Sequence, residues 1–341
     1  MRHPQFLYVV FIHLLYSFIS VSILPLEYSR QAFGQIDTLQ SAHGRDHSDA
    51  NGQGTDGIGL NSGTPAVLET GTVIPDSAFI DSLYKFPNYQ LDRKITNTAF
   101  RPGEKLTFNI RYGIIHAGVA KMEVVEKTTL QDSIPVYRIL TTAKSASFFD
   151  NFYKVRDSVE TYLDATGYFS WRYEKRLREG GYKFDLLVDY DQPRGIANVH
   201  AIRYNKEEPL TIRNQEMYKV IVEKYIADVL SAFYYVRTQN LEVGEPLYMS
   251  NHDNKKVYDL QVIVQRRETI KVKAGKFKCI LVKPRLQGDA IFKQKGELWV
   301  WLTDDEYKIP VKMKSKVAVG SISTELNKIE GVPLPITAQI K

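Results

Sequence analysis

The sequence predicts an all-β (mainly β) fold: one large, strongly curved antiparallel sheet or open barrel, with one helix buried in it or lying over it as a lid. Three observations lead there. Beyond residue 103, apolar residues recur with a period of two; the periodic segments are separated by short turn sequences; and one stretch, residues 225–237, switches to helical period. Aromatics at 12%, including 21 Tyr, suit strands, because flat rings pack well on a pleated surface.

At the N-terminus, Arg2 and His3 precede an apolar run over residues 6–24, and Ala32-Phe33-Gly34 offers small residues where a signal peptidase reads. Residues 1–34 therefore read as a signal peptide cleaved before Gln35. The run also suffices for a retained membrane anchor, which needs about 20 residues. Cys279 is the lone cysteine, so neither a lipid-modified N-terminal cysteine nor an internal disulfide is expected. Residues 35–75 are polar, glycine-rich and aperiodic, and read as a disordered linker. His43 and His47 lie beside Asp46 and Asp49 in it, but ligands four apart need a helix that this stretch does not favour. In residues 76–99, Phe79-Ile80 and Leu83-Tyr84 have helical spacing and predict a short docking helix.

Residues 100–332 form the expected β-rich domain, with 333–341 a C-terminal tail. Leu106, Phe108 and Ile110 alternate with Lys105, Thr107 and Asn109, as in a half-buried strand. After a turn at 113–118 the pattern repeats over 136–142, 153–163, 168–178, 182–190, 195–203, 257–264, 277–283, 296–302, 311–317 and 321–329. Turn sequences such as Gly180-Gly181 and Asp191-Gln192-Pro193-Arg194-Gly195 separate several of them, which implies an antiparallel meander. In the exceptional stretch, Ile226, Val229, Leu230, Phe233 and Val236 form a helical stripe with little polar surface opposite, the mark of a buried helix. Two β subdomains joined by that helix are the other arrangement this pattern permits.

Several motifs resemble the domain of unknown function 3108 family. They are Arg101-Pro102-Gly103-Glu104-Lys105-Leu106; Tyr112-Gly113-Ile114-Ile115-His116-Ala117-Gly118; Ser147-Phe148-Phe149 with Tyr153-Lys154-Val155-Arg156-Asp157; the stretch 228–237; Gly275-Lys276-Phe277-Lys278-Cys279; Trp301-Leu302-Thr303-Asp304-Asp305; and Ile309-Pro310-Val311. The resemblance implies an exported envelope protein with a β-rich fold and carries over no catalytic residue.

The chain shows no phosphate loop or dinucleotide fingerprint, and no nucleic-acid module. Gly320-Ser321-Ile322-Ser323 lacks the second glycine of a nucleophile elbow. Cys279 alternates in phase with Phe277 and Leu281 and reads as a buried structural thiol. His116, His200 and His252 are solitary, so no metal or cofactor is expected. Asp304-Asp305 reads as a polar turn, and Arg156, Asp157 and Arg237 as members of internal ion pairs. Lys271, Lys273, Lys276, Lys278, Lys283, Lys312, Lys314 and Lys316 alternate outward on strands, a solvated face that could also meet anionic headgroups.

The expected function is that of a non-enzymatic exported envelope protein, periplasmic, outer-membrane associated or anchored in the inner membrane. It would bind an apolar or amphipathic ligand such as a lipid through Tyr112, Phe148, Phe149, Phe233, Tyr234, Trp299 and Trp301. The alternatives are a structural or assembly factor with an envelope protein partner, and an enzyme acting on cell-wall or glycan substrates through Asp304 and a second carboxylate. An empty apolar interior would favour the first, a filled one the second, and a polar cleft with facing carboxylates the third.

Overall fold

The computed structural model describes residues 66–76, 79, 81–151, 153–287, 297–316 and 320–340. The signal or anchor, most of the linker and the His43/His47 pair lie outside them. Strands β1 (Ala66–Val67) and β3 (Tyr84–Lys85) form a small parallel pair, while β2 (Val73–Pro75) adds to the edge of the main sheet. The stretch read as linker thus ends in an ordered edge strand.

The main sheet has 16 strands, is antiparallel and does not close into a ring. Its first meander is β4 (Lys105–Tyr112), β5 (Ile115–Leu130), β6 (Ile134–Ser145), β7 (Arg156–Asp164), β8 (Ser170–Glu179), β9 (Tyr182–Asp191), β10 (Ile196–Tyr204) and β11 (Ile212–Ile221). The second is β12 (Leu247–Asp253), β13 (Lys256–Val272), β14 (Gly275–Leu286), β15 (Leu298–Thr303), β16 (Pro310–Lys316) and β17 (Ser321–Glu330). The meanders join in mid-sheet, where β17 pairs with β4, and a short β18 (Gln339–Ile340) extends the end of β14. One sheet therefore replaces the alternative of two subdomains. Bulges in β5 near Val124 and in β13 near Val264 accompany this curvature, since an extra residue bends a strand and increases its twist.

The sequence pattern missed β11 and β12 and ended β13 too early. β11 is an edge region with Asn214 and Glu216 among its alternate residues, so its apolar stripe is short. β12 buries two consecutive residues, Asn251 and His252, which destroys any alternation.

β11 and β12 lie at opposite ends of the strand order, yet side chains bridge them. Tyr218 of β11 bonds to Asn254, and Glu216 pairs with Lys255 at 2.5 Å. Further in, Lys175 of β8 pairs with Asp253 at 2.9 Å, and Tyr190 of β9 meets His252 Nδ1 at 3.0 Å. The open barrel thus has a seam held by side chains and, on β12, by a single backbone bridge from Ala227 to Asn251, with no continuous ladder among the described residues.

Helix α1 (Ser147–Asp150) is a single turn after β6; α2 (Val229–Arg237) links the two meanders. Asp228 caps α2: its Oδ1 accepts from Leu230 N at 2.8 Å and Ser231 N at 2.9 Å. The helix is shorter than the apolar stripe suggests. Leu230, Ser231, Ala232, Tyr234, Val236 and Arg237 are buried, whereas Val229, Phe233 and Tyr235 are only half-buried. It is seated in the barrel with one side partly open, neither enclosed all round nor a detached lid.

Residues 84–99 dock as an extended strap with one 3-10 turn at Asp81–Leu83, not as the expected helix. Pro87 interrupts the helical spacing, and the strap is held by irregular contacts. Arg93 donates to Gly167 O and Tyr168 O and stacks over the rings of Tyr225 and Tyr235.

Candidate functional site

An open depression lies on the outer face of β13–β16. The sequence Leu298-Trp299-Val300-Trp301-Leu302 sends Val300 and Leu302 to the core, leaving both indoles on the opposite face. Register places Arg266, Leu281, Trp301 and Lys312 in one row across four strands, with Trp299 opposite Lys314 in the next. The β13 bulge sets this row: before it Val262 and Val264 point inward, and after it Arg266 and Glu268 point outward. Arg266, Leu281, Trp299, Trp301 and Lys314 line this open depression of about 200 Å³.

Its walls are fixed. Trp301 Nε1 donates to Glu268 Oε1 at 2.8 Å, and Arg266 pairs with the same carboxylate at 2.8 Å. Lys283 sits 5.5 Å from the Trp299 ring centroid and pairs with Glu297. Lys312 is held by Glu325 at 2.8 Å, while Lys314 is exposed and closes no ion pair among the described residues. The site offers a largely buried floor of Leu281 and Trp301, at 1% and 9% exposure, the half-buried Trp299 indole and cations at the rim, which suits the edge of an amphipathic molecule with an anionic group.

The interior holds buried side chains and polar networks. Asp228 Oδ2 accepts from Thr161, Ser170 and Ser231 hydroxyls at 2.6–2.7 Å, joining α2 to β7 and β8. Beside it Tyr173, His252 and Asn251 are buried, with Tyr173 OH, His252 Nε2 and both Asn251 amide atoms lacking a hydrogen-bond partner among the described residues. Burial pulls His252 down to about 4, so the imidazole is neutral at pH 7. Burial also raises Asp157 to about 6 and pushes its hydrogen-bonded neighbour Glu179 well above the usual carboxylate range. Both lie on the inner face, and one proton held between them would satisfy both carboxyls. They are buried at 3% and 1% exposure, so they form no open cleft.

The sequence-derived residues fall into separate places. Tyr112, Phe148 and Phe149 lie at the end of the barrel where β4 turns into β5: Phe148 is exposed, Tyr112 half-buried and Phe149 buried. Phe233 and Tyr234 lie on α2, and Tyr234 packs edge-on against Phe100 at 4.8 Å. Only Trp299 and Trp301 share a depression. The pairing of Arg156 with Asp157 is corrected: neighbours in a strand point to opposite faces, so Arg156 reaches outward to Asp150 at 2.6 Å while Asp157 turns inward. Arg237 is fully buried and bidentate to Glu104 at 2.6 and 2.8 Å, and it also donates to Ala99 O and Tyr307 O. Asp304 pairs with Arg267, and Asp305 ties the turn through Tyr307 N, Lys308 N and the Thr303 hydroxyl. Cys279 is buried, and burial drives its thiol up to about 12. Among the described residues there is no group of three metal-ligating side chains. Sequence reasoning missed Arg266 and Glu268, because the bulge that turns them outward leaves no mark in an alternating pattern.

The fold and its outer-face depression define a barrel-like β protein built from one open sheet. The chain belongs to the family described as Protein of unknown function (DUF3108), whose profile matches residues 107–327. Comparison of the sequence with curated proteins gives no match. A β-barrel-like protein of domain of unknown function 1849 from Brucella abortus superposes with a TM-score of 0.44 at 10% identity, covering 68% of this chain and 98% of that one. A protein from Bacteroides fragilis, described as exported with a YmcC-like fold, gives 0.31 at 10% identity over 70% and 98% of the two chains. One from Parabacteroides distasonis, described as a lipoprotein, gives 0.31 at 12% identity over 70% and 99%.

Proposed function

We propose that this protein is a non-enzymatic component of the bacterial cell envelope, exported through its N-terminal segment, that binds an amphipathic ligand with an anionic group on its outer face. The observation that carries the reading is the pair of indoles, Trp299 and Trp301, set in a cation-rimmed depression. The curved interior holds α2 and the buried seam residues, so the reading rests on the outer face. A lipid would lay an acyl segment against Leu281 and the indoles and offer its phosphate to Arg266 and Lys314.

The shallowness of the depression favours a second reading. At about 200 Å³ it is smaller than the roughly 300–1,000 Å³ usual for small-molecule sites, and fits a few side chains of a partner protein in an assembly role. Mass spectrometry of lipids that co-purify with the wild-type chain and with Trp299→Ala/Trp301→Ala separates the two. Lipid present in the wild type and lost in the variant supports the ligand reading. An equal lipid content in both removes it and leaves the partner reading.

A further inference from the structure

Ile114, at the tip of the β4–β5 hairpin, is 92% exposed, and its neighbour Ile115 is 50% exposed. The turn is two residues long, Gly113-Ile114, between the paired Tyr112 and Ile115. Gly113 has φ 56° and satisfies the backbone demand, so nothing in the turn geometry calls for isoleucine at 114. The end of β6 lies alongside: Gly118 pairs with Ser145, and Ala146 N donates to Ala117 O at 2.8 Å. Helix α1 therefore leaves β6 beside the hairpin, burying Phe149 and presenting Phe148 at 67% exposure. Gly118 permits this close approach, because a Cβ there would collide with Lys144 O. Three large apolar side chains thus stand out at one end of the barrel.

The charges around them that lack an ion-pair partner among the described residues are positive. Lys144, Lys154 and Lys316 are exposed at the same end and close no ion pair among the described residues. Arg111 is 41% exposed, 3.7 Å from Glu325. The nearest acid, Asp150, is engaged by Arg156 and Ser145 and held down to about 2 by those hydrogen bonds. An apolar tip ringed by lysines matches the boundary between acyl chains and anionic headgroups, where apolar burial and electrostatic attraction add.

We infer that the Ile114–Ile115 hairpin and Phe148 form a tip that docks the protein onto an anionic lipid surface, with Lys144, Lys154 and Lys316 meeting the headgroups. Its apolar residues are not those of the Trp299/Trp301 depression, although Lys316 stands two residues along β16 from Lys314 at that rim, and the inference stands without the depression. The tip can be read directly with an environment-sensitive fluorophore attached at Phe148→Cys, because the natural Cys279 is buried and its thiol unreactive. A second label at Tyr248→Cys, an exposed position on β12, reports a site away from the tip.

Vesicles of phosphatidylcholine with added phosphatidylglycerol are expected to blue-shift the label at 148 and leave the one at 248 unchanged. Pure phosphatidylcholine vesicles are expected to give no shift. Raising the salt concentration should reverse the effect. Lys144→Glu/Lys154→Glu should weaken the vesicle dependence at least tenfold, and Ile114→Ser/Ile115→Ser should do the same. Equal shifts at 148 and 248, no shift at 148, or a shift that survives both double substitutions overturns the inference. A vesicle-independent shift at 148 that grows with protein concentration assigns the tip to a protein contact and equally overturns it. The Trp299→Ala/Trp301→Ala chain should keep the shift, so the two sites fail or succeed separately.

Discussion

Arg237 and Glu104 are both almost inaccessible to water, and each is tolerable only because of the other. The guanidinium also stacks against Phe100 and Tyr234 and donates to Ala99 O and Tyr307 O, so it ties α2 to the start of β4 and to the turn after β15. Replacing Arg237 by Met strands a buried carboxylate and is expected to cost about 3–5 kcal/mol in denaturant unfolding. Adding Glu104→Leu should recover most of that loss, because the double variant buries no unpaired charge. Asp157 makes a different prediction. Its folded-state value near 6 lies above the ordinary carboxylate value of 3.8, so the folded chain holds the proton more tightly than the unfolded one. Its contribution is therefore present at low pH and lost as pH rises from about 4 to 6, on the order of 2–3 kcal/mol. The stability of Asp157→Asn relative to the wild type should rise over that interval and level off above it. A flat difference between pH 4 and 8 in thermal melts would remove the shared-proton account. His252 acts in the opposite sense: held near 4 against 6.5, it favours the folded state at neutral pH and loses that effect as pH falls.

Among the elements, α2 shows what a sequence stripe can and cannot say. Its position and polarity were legible from the stripe of Ile226, Val229, Leu230, Phe233 and Val236; its start was not, because the Asp228 cap lies inside that stripe. The degree of burial was not, because a stripe reveals which residues avoid water and not how many neighbours surround them. Phe233 is half-buried, so Phe233→Ala should cost about 1–2 kcal/mol, less than the 3–5 typical of an enclosed Phe. Leu230, at 2% exposure, should cost more, about 2–5 kcal/mol for Leu230→Ala. Asp228→Ala should exceed the ordinary cap penalty of about 1 kcal/mol, since it also deprives the Thr161, Ser170 and Ser231 hydroxyls of their acceptor. Urea unfolding of the three variants gives the ranking, and a larger loss for Phe233→Ala than for Leu230→Ala would contradict this packing. The depression was half-legible: Trp299 and Trp301 stand out in the sequence, but Arg266 and Glu268 reach them only through a bulge and a long-range pairing. Asp157 beside Arg156 shows the converse, where closeness in sequence is separation in space.

At the scale of the whole molecule, period-two alternation gave the antiparallel strands and the longer helix, most long strands at their true places, but it left one sheet and two subdomains open and did not show α1. The seam was not readable, because it is made from side chains of β8, β9, β11 and β12 brought together only when the sheet curls. Its members look like an ordinary polar edge in sequence. Lys175 and Asp253 are nearly buried at 8% and 10% side-chain exposure, so Asp253→Asn should destabilise the fold by several kcal/mol through the unpaired lysine. Hydrogen exchange should then show β12 loosening before β5 or β6.

The join between β4 and β17 has a consequence for when the molecule can exist at all. Leu106 pairs with Ile329, so the first long strand finds one of its two neighbours more than 200 residues further along the chain. Until that pairing forms, β4 has an open flank, and the interior lacks half its wall. Such distant pairings delay folding, since the entropy of a long closure must be met before the contacts form. The pairings inside each meander are local and can form early, whereas this join comes late and makes the two meanders one sheet. A chain stopped after Lys316, without β17, is expected to be degraded by trypsin as fast as a denatured control, while the full chain resists.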